Sequence, residues 1–425
     1  MNCFQHPDFS LHHLLLSPIH HTFGPHIDAA YMCKILAVSY APHQYVRGKS
    51  IEKLRTALSK QFEGSTGLFA SGRESLLALL QAMKLRSGEE IIVQGYTCVV
   101  VPNAIHAAGG VPVYADLNEE TLNLTPESVE ASLSPRTRAV ICQHTFGIPS
   151  DTKKLRDLCD RHKILLIEDC AHLIPDETGP KEIGVLGDAV ILSFGRDKAI
   201  SGIAGGAVIT RNPVFSDAIR SLESSALDLP WREVAKLLEY GSRMRCIVRP
   251  LSWCGLQKPI LAFLNAIGLF SPILTENERE GHMSPLLRKL PNACAYLALH
   301  SLSRLREIND HRRMLTAFYL AEGAERGWPM LSGIHKDLPL QKFPLFVSGA
   351  KEKRVVLRKQ NIHLDDGWTG CVVCPETVSI TETGYEAGFD PNAEKVCKSI
   401  LSLPTHPTMT LAQAKKLVER IDDLL

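Results

Sequence analysis

Between residues 51 and 212 the apolar positions alternate between two arrangements. One recurs every three to four residues and marks a helical stripe; the other runs unbroken for four or five residues, as in a strand covered on both faces. The first predicts helices over 51–62, 75–84, 99–108 and 151–162; the second predicts strands over 90–94, 111–115, 138–143 and from 164, then 189–192 and 207–210. Strands separated by helices of this length imply right-handed crossovers, so the fold class is α/β with a mostly parallel sheet and ligands at the carboxyl ends of its strands. Residues 213–285 form an excursion whose helices are hard to place. A long helical pattern then runs from 291 to 323, and the remainder mixes strand runs such as 343–347 with a closing helix at 411–424, as a small α+β domain would. The implied organisation is an extension at 1–49, a large domain at 50–290 and a linking helix with the small domain at 291–425.

Two stretches resist this pattern. His6, His12, His13, His20, His21 and His26 crowd a segment without a clear period, which reads as a loosely ordered extension rather than a metal site. Residues 256–274 are strongly apolar, but Pro259, Asn265 and Pro272 make them too short and broken to span a bilayer. Burial against the protein or a partner subunit is the preferred reading; an amphipathic segment lying on a membrane surface is the other.

Composition excludes more than it selects. A net charge of +1 and 22% charged residues leave no basic footprint for nucleic acid, and 45% hydrophobic residues do not suit a disordered chain. The 425 residues can build a large core and two domains. Twelve cysteines without paired spacing, and an N-terminus lacking a basic-then-apolar signal, point to reduced thiols in a cytoplasm. Cys371 and Cys374 form a C-x-x-C with no second pair, so the spacing is read as incidental.

Candidate chemistry concentrates around Lys198, on a polar loop between the apolar runs 189–192 and 207–210. Asp169 ends the buried run that begins at 164, and Ser193 ends the next. A lysine to hold the cofactor covalently and an acid to keep a pyridine nitrogen protonated are what a pyridoxal phosphate (PLP) site requires. Ser71, Gly72, Arg73 and Glu74 lie where a loop enters a helix, so their amides suit either a phosphate or ordinary capping. Tyr96, Thr97 and Cys98 begin the following helix, where Tyr96 is either a ring-stacking residue or core. His144 follows a strand and is either structural or a substrate contact.

In this order and spacing, SGRES, GYTC, GGVPVYADLNEETLNL, PRTRAVICQHTFGIPSD, IEDCAH, GDAVILSFGRDK and the Gly205-Gly206 pair resemble the DegT/DnrJ/EryC1/StrS aminotransferases, PLP-dependent enzymes of fold type I. The likeness spans about 71–210 and resumes weakly at RKLPNACAYLAL and LSLPTHP. It implies a homodimer with a seven-stranded-type sheet, using glutamate or glutamine to aminate a keto sugar, nucleotide-linked, in cell-surface polysaccharide or secondary-metabolite synthesis. Lys198 would carry PLP and move the substrate proton, Asp169 would pair with the pyridine nitrogen, Ser193 would bind the phosphate, and His172 would lie near the ring oxygen. Gly72, Arg73 and Glu74 occupy the phosphate cradle without the usual Gly-Thr. Cys98 stands where the family has a stacking aromatic. The family's Gly-Tyr-Asn is replaced by Pro285-Leu286 ahead of Arg288, and Asp365-Asp366-Gly367-Trp368 stands near the sugar-lining motif. A dehydratase of the same fold and a non-catalytic PLP- or sugar-binding member are the alternatives; Lys198 argues against the first, because dehydrating relatives carry histidine there.

Overall fold

The computed structural model describes residues 18–180, 182–251 and 256–425. The strand patterns close into one seven-stranded sheet of β1 (Ser65–Phe69), β2 (Glu90–Gln94), β3 (Val111–Ala115), β4 (Thr137–Gln143), β5 (Leu165–Asp169), β6 (Ala189–Ser193) and β7 (Gly206–Thr210). Their spatial order is β1-β7-β6-β5-β4-β2-β3. Strands β6, β5, β4, β2 and β3 pair in parallel, whereas β7 is antiparallel to both β6 and β1. Leu166, Ile167, Val190, Ile191 and Leu192 are buried whichever face they take, which is why these runs are apolar throughout rather than alternating. Register places Asp169 beside Gln143 of β4 and Ile191 of β6, so Asp169 and Ser193 emerge at the same carboxyl edge.

The C-terminal part is α+β, as expected. Lys342–Phe346 pairs antiparallel with Ile400–Pro404, and helices Ala350–Lys359, Pro391–Ser399 and Leu411–Asp422 accompany it. The helical pattern at 291–323 is two helices, Asn292–Ser303 and Leu305–Arg326, which meet where Arg304 leaves helical geometry at φ −109° and ψ 14°.

Two local expectations are corrected. Thr97 and Cys98 do not open a helix; they form a short strand paired in parallel with Val373–Cys374, and the helix starts at Val100. A partner so far along the chain leaves no local signature. The other correction concerns the N-terminus. His6, His12 and His13 lie outside the described residues, but from residue 18 the chain is tightly packed. Ile19–His20 pairs with Ile362–His363, and Asp28 caps the helix Ala29–Ser39 by accepting from the Tyr31 amide at 2.7 Å. Phe23, Ile27, Tyr31, Met32 and Ile35 join Val234, Leu238 and Tyr240 of the Trp231–Arg243 helix, with Leu264 and Phe270, in one core. Residues 18–28 have little regular structure, so no period announced their burial.

The excursion contains helices Pro213–Ser225, Trp231–Arg243, Gln257–Ala266 and Glu276–Arg279. Leu264, Phe270 and Leu274 face inward, whereas Phe263 is 61% exposed and Leu256, Ile267 and Ile273 are also open to solvent. No helix among the described residues is long and apolar enough to cross a membrane.

Candidate active site

Asp169, Ser193 and Lys198 meet at the carboxyl edge because β5 and β6 are parallel neighbours and the loop after β6 turns back toward β7. All three keep partial exposure although buried strands surround them, as do Gly72 and Cys98, so the group stands at the open edge of the sheet. Lys198 Nζ lies 3.2 Å from His172 Nε2. The Phe146 amide donates to His172 Nδ1 at 3.3 Å, which leaves the neutral ring's proton on Nε2, free for an acceptor oxygen since a lysine ammonium can only donate. Burial, reinforced by the charges of Lys198, Lys342 and Arg312, holds the His172 pKa well below its usual value, so the ring is a neutral donor. Burial raises the Asp169 pKa, against the Ala171 amide, which donates to Oδ1 at 3.0 Å, and the charge of Lys198. A cationic ring nitrogen at this carboxylate would favour its charged form.

The second wall is the start of the helix Gly72–Met83, capped by Ser71, whose Oγ accepts from the Glu74 amide at 3.3 Å. Gly72 is required by proximity: a Cβ there would come within 2.8 Å of Ser193 Cβ and 3.0 Å of its Oγ. Backbone and hydroxyl therefore face each other across a cradle that any larger residue would fill. The side chains of Arg73 and Glu74 turn away from it. Arg73 pairs with Glu278 and donates to the Ile273 carbonyl at 2.7 Å; Glu74 is buried against Ser71 Oγ at 2.8 Å and Arg288 Nε at 2.7 Å. The Glu74 charge is thereby countered by Arg288, and a phosphate at this helix start would be held by the first-turn amides and the helix dipole, not by these side chains. Together, the cradle, the Ser193 hydroxyl and the Asp169 carboxylate are a donor and acceptor set that fits a phosphorylated pyridine.

Residues from the C-terminal part complete the site. The Tyr96 hydroxyl donates to the Trp368 carbonyl at 2.7 Å, and its fully buried ring packs edge-on against Phe146 and Trp368. Tyr96 is thus a core residue that supports Trp368, while Cys98 is half-buried. Trp368 in turn packs edge-on against His172 at 5.2 Å. Lys342, which the sequence did not single out, is buried 3.1 Å from Asp366, with its ammonium 5.6 Å from the ring centres of both Phe146 and Trp368. That cation holds the Asp366 pKa down to about 2 despite burial. Phe146 sits in the left-handed region, φ 55°, an unfavourable conformation for an aromatic residue. The Gln341 amide, donating to the Phe146 carbonyl at 2.7 Å, helps enforce it. The stretch 365–368 was visible in the sequence as a candidate; Lys342, just ahead of the strand run at 343–347, gave no signal.

His144 does not reach this group. It is wholly buried, its Nδ1 accepts from the Ser150 amide at 3.1 Å, and its Nε2 lies 3.4 Å from Glu168. Glu168 already accepts from the amides of Gly184, Leu186 and Gly187, so it and His144 form a structural cluster on the sheet face opposite Asp169. Cys170 is close enough to complete a three-residue donor group. The amides already bound to Glu168 satisfy its oxygens without an ion.

Comparison with known proteins bears on the fold and the family. The fold matches that of ntda from Bacillus subtilis, solved with PMP bound, at a TM-score of 0.70 and 19% identity, covering 100% of this chain and 86% of that one. It matches DesV of S. venezuelae at 0.69 and 24%, covering 93% and 94%. In sequence the chain is 32% identical over 199 residues to GDP-perosamine synthase of Vibrio cholerae, a stretch covering 47% of this chain and 54% of that protein. It is 34% identical over 185 residues to L-glutamine:2-deoxy-scyllo-inosose aminotransferase of Streptomyces kanamyceticus, covering 42% and 43%. The chain thus spans about half the length of the curated relatives it matches. The sequence pattern of the DegT/DnrJ/EryC1/StrS aminotransferases matches residues 34–248 and 274–422, which is most of the chain, and the protein belongs to that family.

Proposed function

We propose that this protein is a PLP-dependent aminotransferase that takes an amino group from glutamate or glutamine and places it on a keto sugar, nucleotide-linked, working as a homodimer. The observation that carries the reading is the convergence of Lys198, Asp169 and Ser193, with Gly72, at one open edge of the sheet. The relatives' names support the substrate classes: one names a GDP-linked product, the other L-glutamine.

PLP, when bound, supplies the electron sink for amino-group transfer. Gly72, the first-turn amides and Ser193 Oγ would hold its phosphate, and the Asp169 carboxylate would keep a proton on the pyridine nitrogen. His172 Nε2–H offers a donor to the ring oxygen while Trp368 and Phe146 fix the imidazole. Lys198 Nζ, released when a substrate amine takes its place, is positioned to carry a proton between the donor's carbon and the cofactor's. Trp368, packed on His172, and Lys342, near Phe146, bring the C-terminal part against this site.

Excess glutamate or glutamine alone should convert the bound cofactor to its amine form and release one equivalent of keto acid. The Lys198→Ala variant should lose that conversion by about 10²-fold or more. A PLP-loaded protein whose spectrum no amino donor changes would overturn the assignment, and light scattering checks the dimer.

A further inference from the structure

The loop that carries Lys198 is held from outside by side chains of three separate parts of the chain. His26 Nε2 lies 2.8 Å from the Lys198 carbonyl oxygen. Arg312 reaches the same oxygen with Nη2 at 3.2 Å and the Ala199 carbonyl with Nη1 at 2.8 Å. Gln341 Nε2 donates to the Asp197 carbonyl. Further along, the Tyr31 hydroxyl and Ser301 Oγ both donate to the Ser201 carbonyl, at 3.0 and 2.8 Å. Inside the loop the Lys198 amide reaches the Gly195 carbonyl at 3.4 Å, a marginal distance, and β-branched Ile203 is held at φ 68°. The Phe194 amide donates to the Gly205 carbonyl and the Gly202 amide to the Phe194 carbonyl, each at 2.8 Å, so the loop's base is closed from within. The carbonyls of Asp197, Lys198 and Ala199, near its tip, are held by the outside donors instead.

His26 and Tyr31 come from the segment that precedes residue 34, where the family match begins. A carbonyl oxygen can only accept, so His26 Nε2 carries the ring proton. Burial and the charge of Arg312 hold the His26 pKa down to about 3, which keeps the ring neutral.

We propose that His26 is a positioning residue for Lys198: its Nε2–H bond to the Lys198 carbonyl, shared with Arg312, fixes the backbone from which the lysine chain reaches His172 Nε2. A lysine side chain has four rotatable bonds, and a drifting Cα would multiply the positions open to Nζ. Displacement of a reacting group by about 1 Å can cost 10²-fold in rate. The inference rests on the reading of Lys198 as the reactive amine.

The test compares His26→Leu, which removes the donor, with His26→Gln, whose Nε2 can reach the same carbonyl. Hydrogen exchange of the full-length protein, freed of cofactor, reads the loop without any chemistry. Amides of 198–203 should exchange roughly 10-fold faster in His26→Leu, the equivalent of one lost hydrogen bond, and return toward wild type in His26→Gln. In the PLP-loaded protein the donor half-reaction should slow by about 10-fold or more in His26→Leu, with the donor's apparent KM unchanged and partial rescue in His26→Gln. Should His26→Leu not fold, Tyr31→Phe keeps the ring and removes the bond to Ser201, and should speed exchange at 201–203. Wild-type exchange in both His26→Leu and Tyr31→Phe, or equal loosening in His26→Leu and His26→Gln, would overturn the proposal. A failed half-reaction in the wild type would strike the aminotransferase reading while leaving the exchange result to decide the clamp.

Discussion

At the scale of single residues, electrostatics in this protein follows burial first and partners second. Asp197 and Asp366 are buried but have lysines near them, and their pKa values fall. Asp390 is buried, beside the carboxylates of Asp116 and Glu394, and its pKa rises to about 7. The native state therefore holds a proton that the unfolded chain, with an ordinary carboxyl near 3.9, releases earlier. This contribution to stability is full below about pH 4 and is lost as pH rises through about 7. Between about pH 5 and about pH 8 the wild type should lose about 2 kcal/mol more stability than Asp390→Asn, measured by urea unfolding at each pH. An equal difference between wild type and variant at both pH values would show that Asp390 is ionised throughout.

At the scale of elements, the cradle depends on how closely the helix Gly72–Met83 approaches β6. The contact has no slack, since a Cβ on Gly72 would meet Ser193 and a Cβ on Gly206 would come within 2.5 Å of Gly72 itself. Gly72→Ala should push the helix start off the Ser193 hydroxyl. Removing two charge-assisted bonds predicts a loss of about 10²-fold in PLP affinity. Pyridoxal, which lacks the phosphate, should bind the variant and the wild type alike in equilibrium dialysis. If Gly72→Ala weakens both ligands equally, the cradle is not a phosphate site.

At the scale of the whole molecule, described residues from two stretches outside the family match, 18–33 and 256–273, contribute to one core. Ile27, Tyr31 and Met32 share a core with Leu264 and Phe270, and the same N-terminal segment delivers His26 to the lysine loop. The segment is therefore structural. A chain beginning at residue 34 would lack Ile19, Phe23, Ile27, Tyr31 and Met32, all buried. At roughly 2 kcal/mol each the loss is about 10 kcal/mol, comparable to the total stability of a domain. Such a truncation should give no soluble folded protein by circular dichroism and size exclusion. A monodisperse product with the wild-type melting temperature would show that residues 18–33 are dispensable.

The sequence alone determined the α/β class and most of the strands and helices from 51 to 212, and it singled out Asp169, Ser193 and Lys198, which the fold brings to one sheet edge. Those features are written locally: a strand covered on both faces must be apolar throughout, and the chemistry sits where such a run stops. Its errors have one cause. The helix start expected at 96–98 holds a strand, Thr97–Cys98, paired with Val373–Cys374, and the described part of the N-terminal extension, from residue 18, is packed in a core, because each is settled by a partner far along the chain; of the two readings open for His144, its contact with Glu168 favours the structural one. The same holds for what it missed. Lys342, Arg312 and Gln341 acquire their places through the tertiary approach of the C-terminal part to the lysine loop, and His26 through the packing of the N-terminal segment. Which donor reaches which carbonyl depends on distances of a few ångströms between segments hundreds of residues apart, and local spacing carries no record of them.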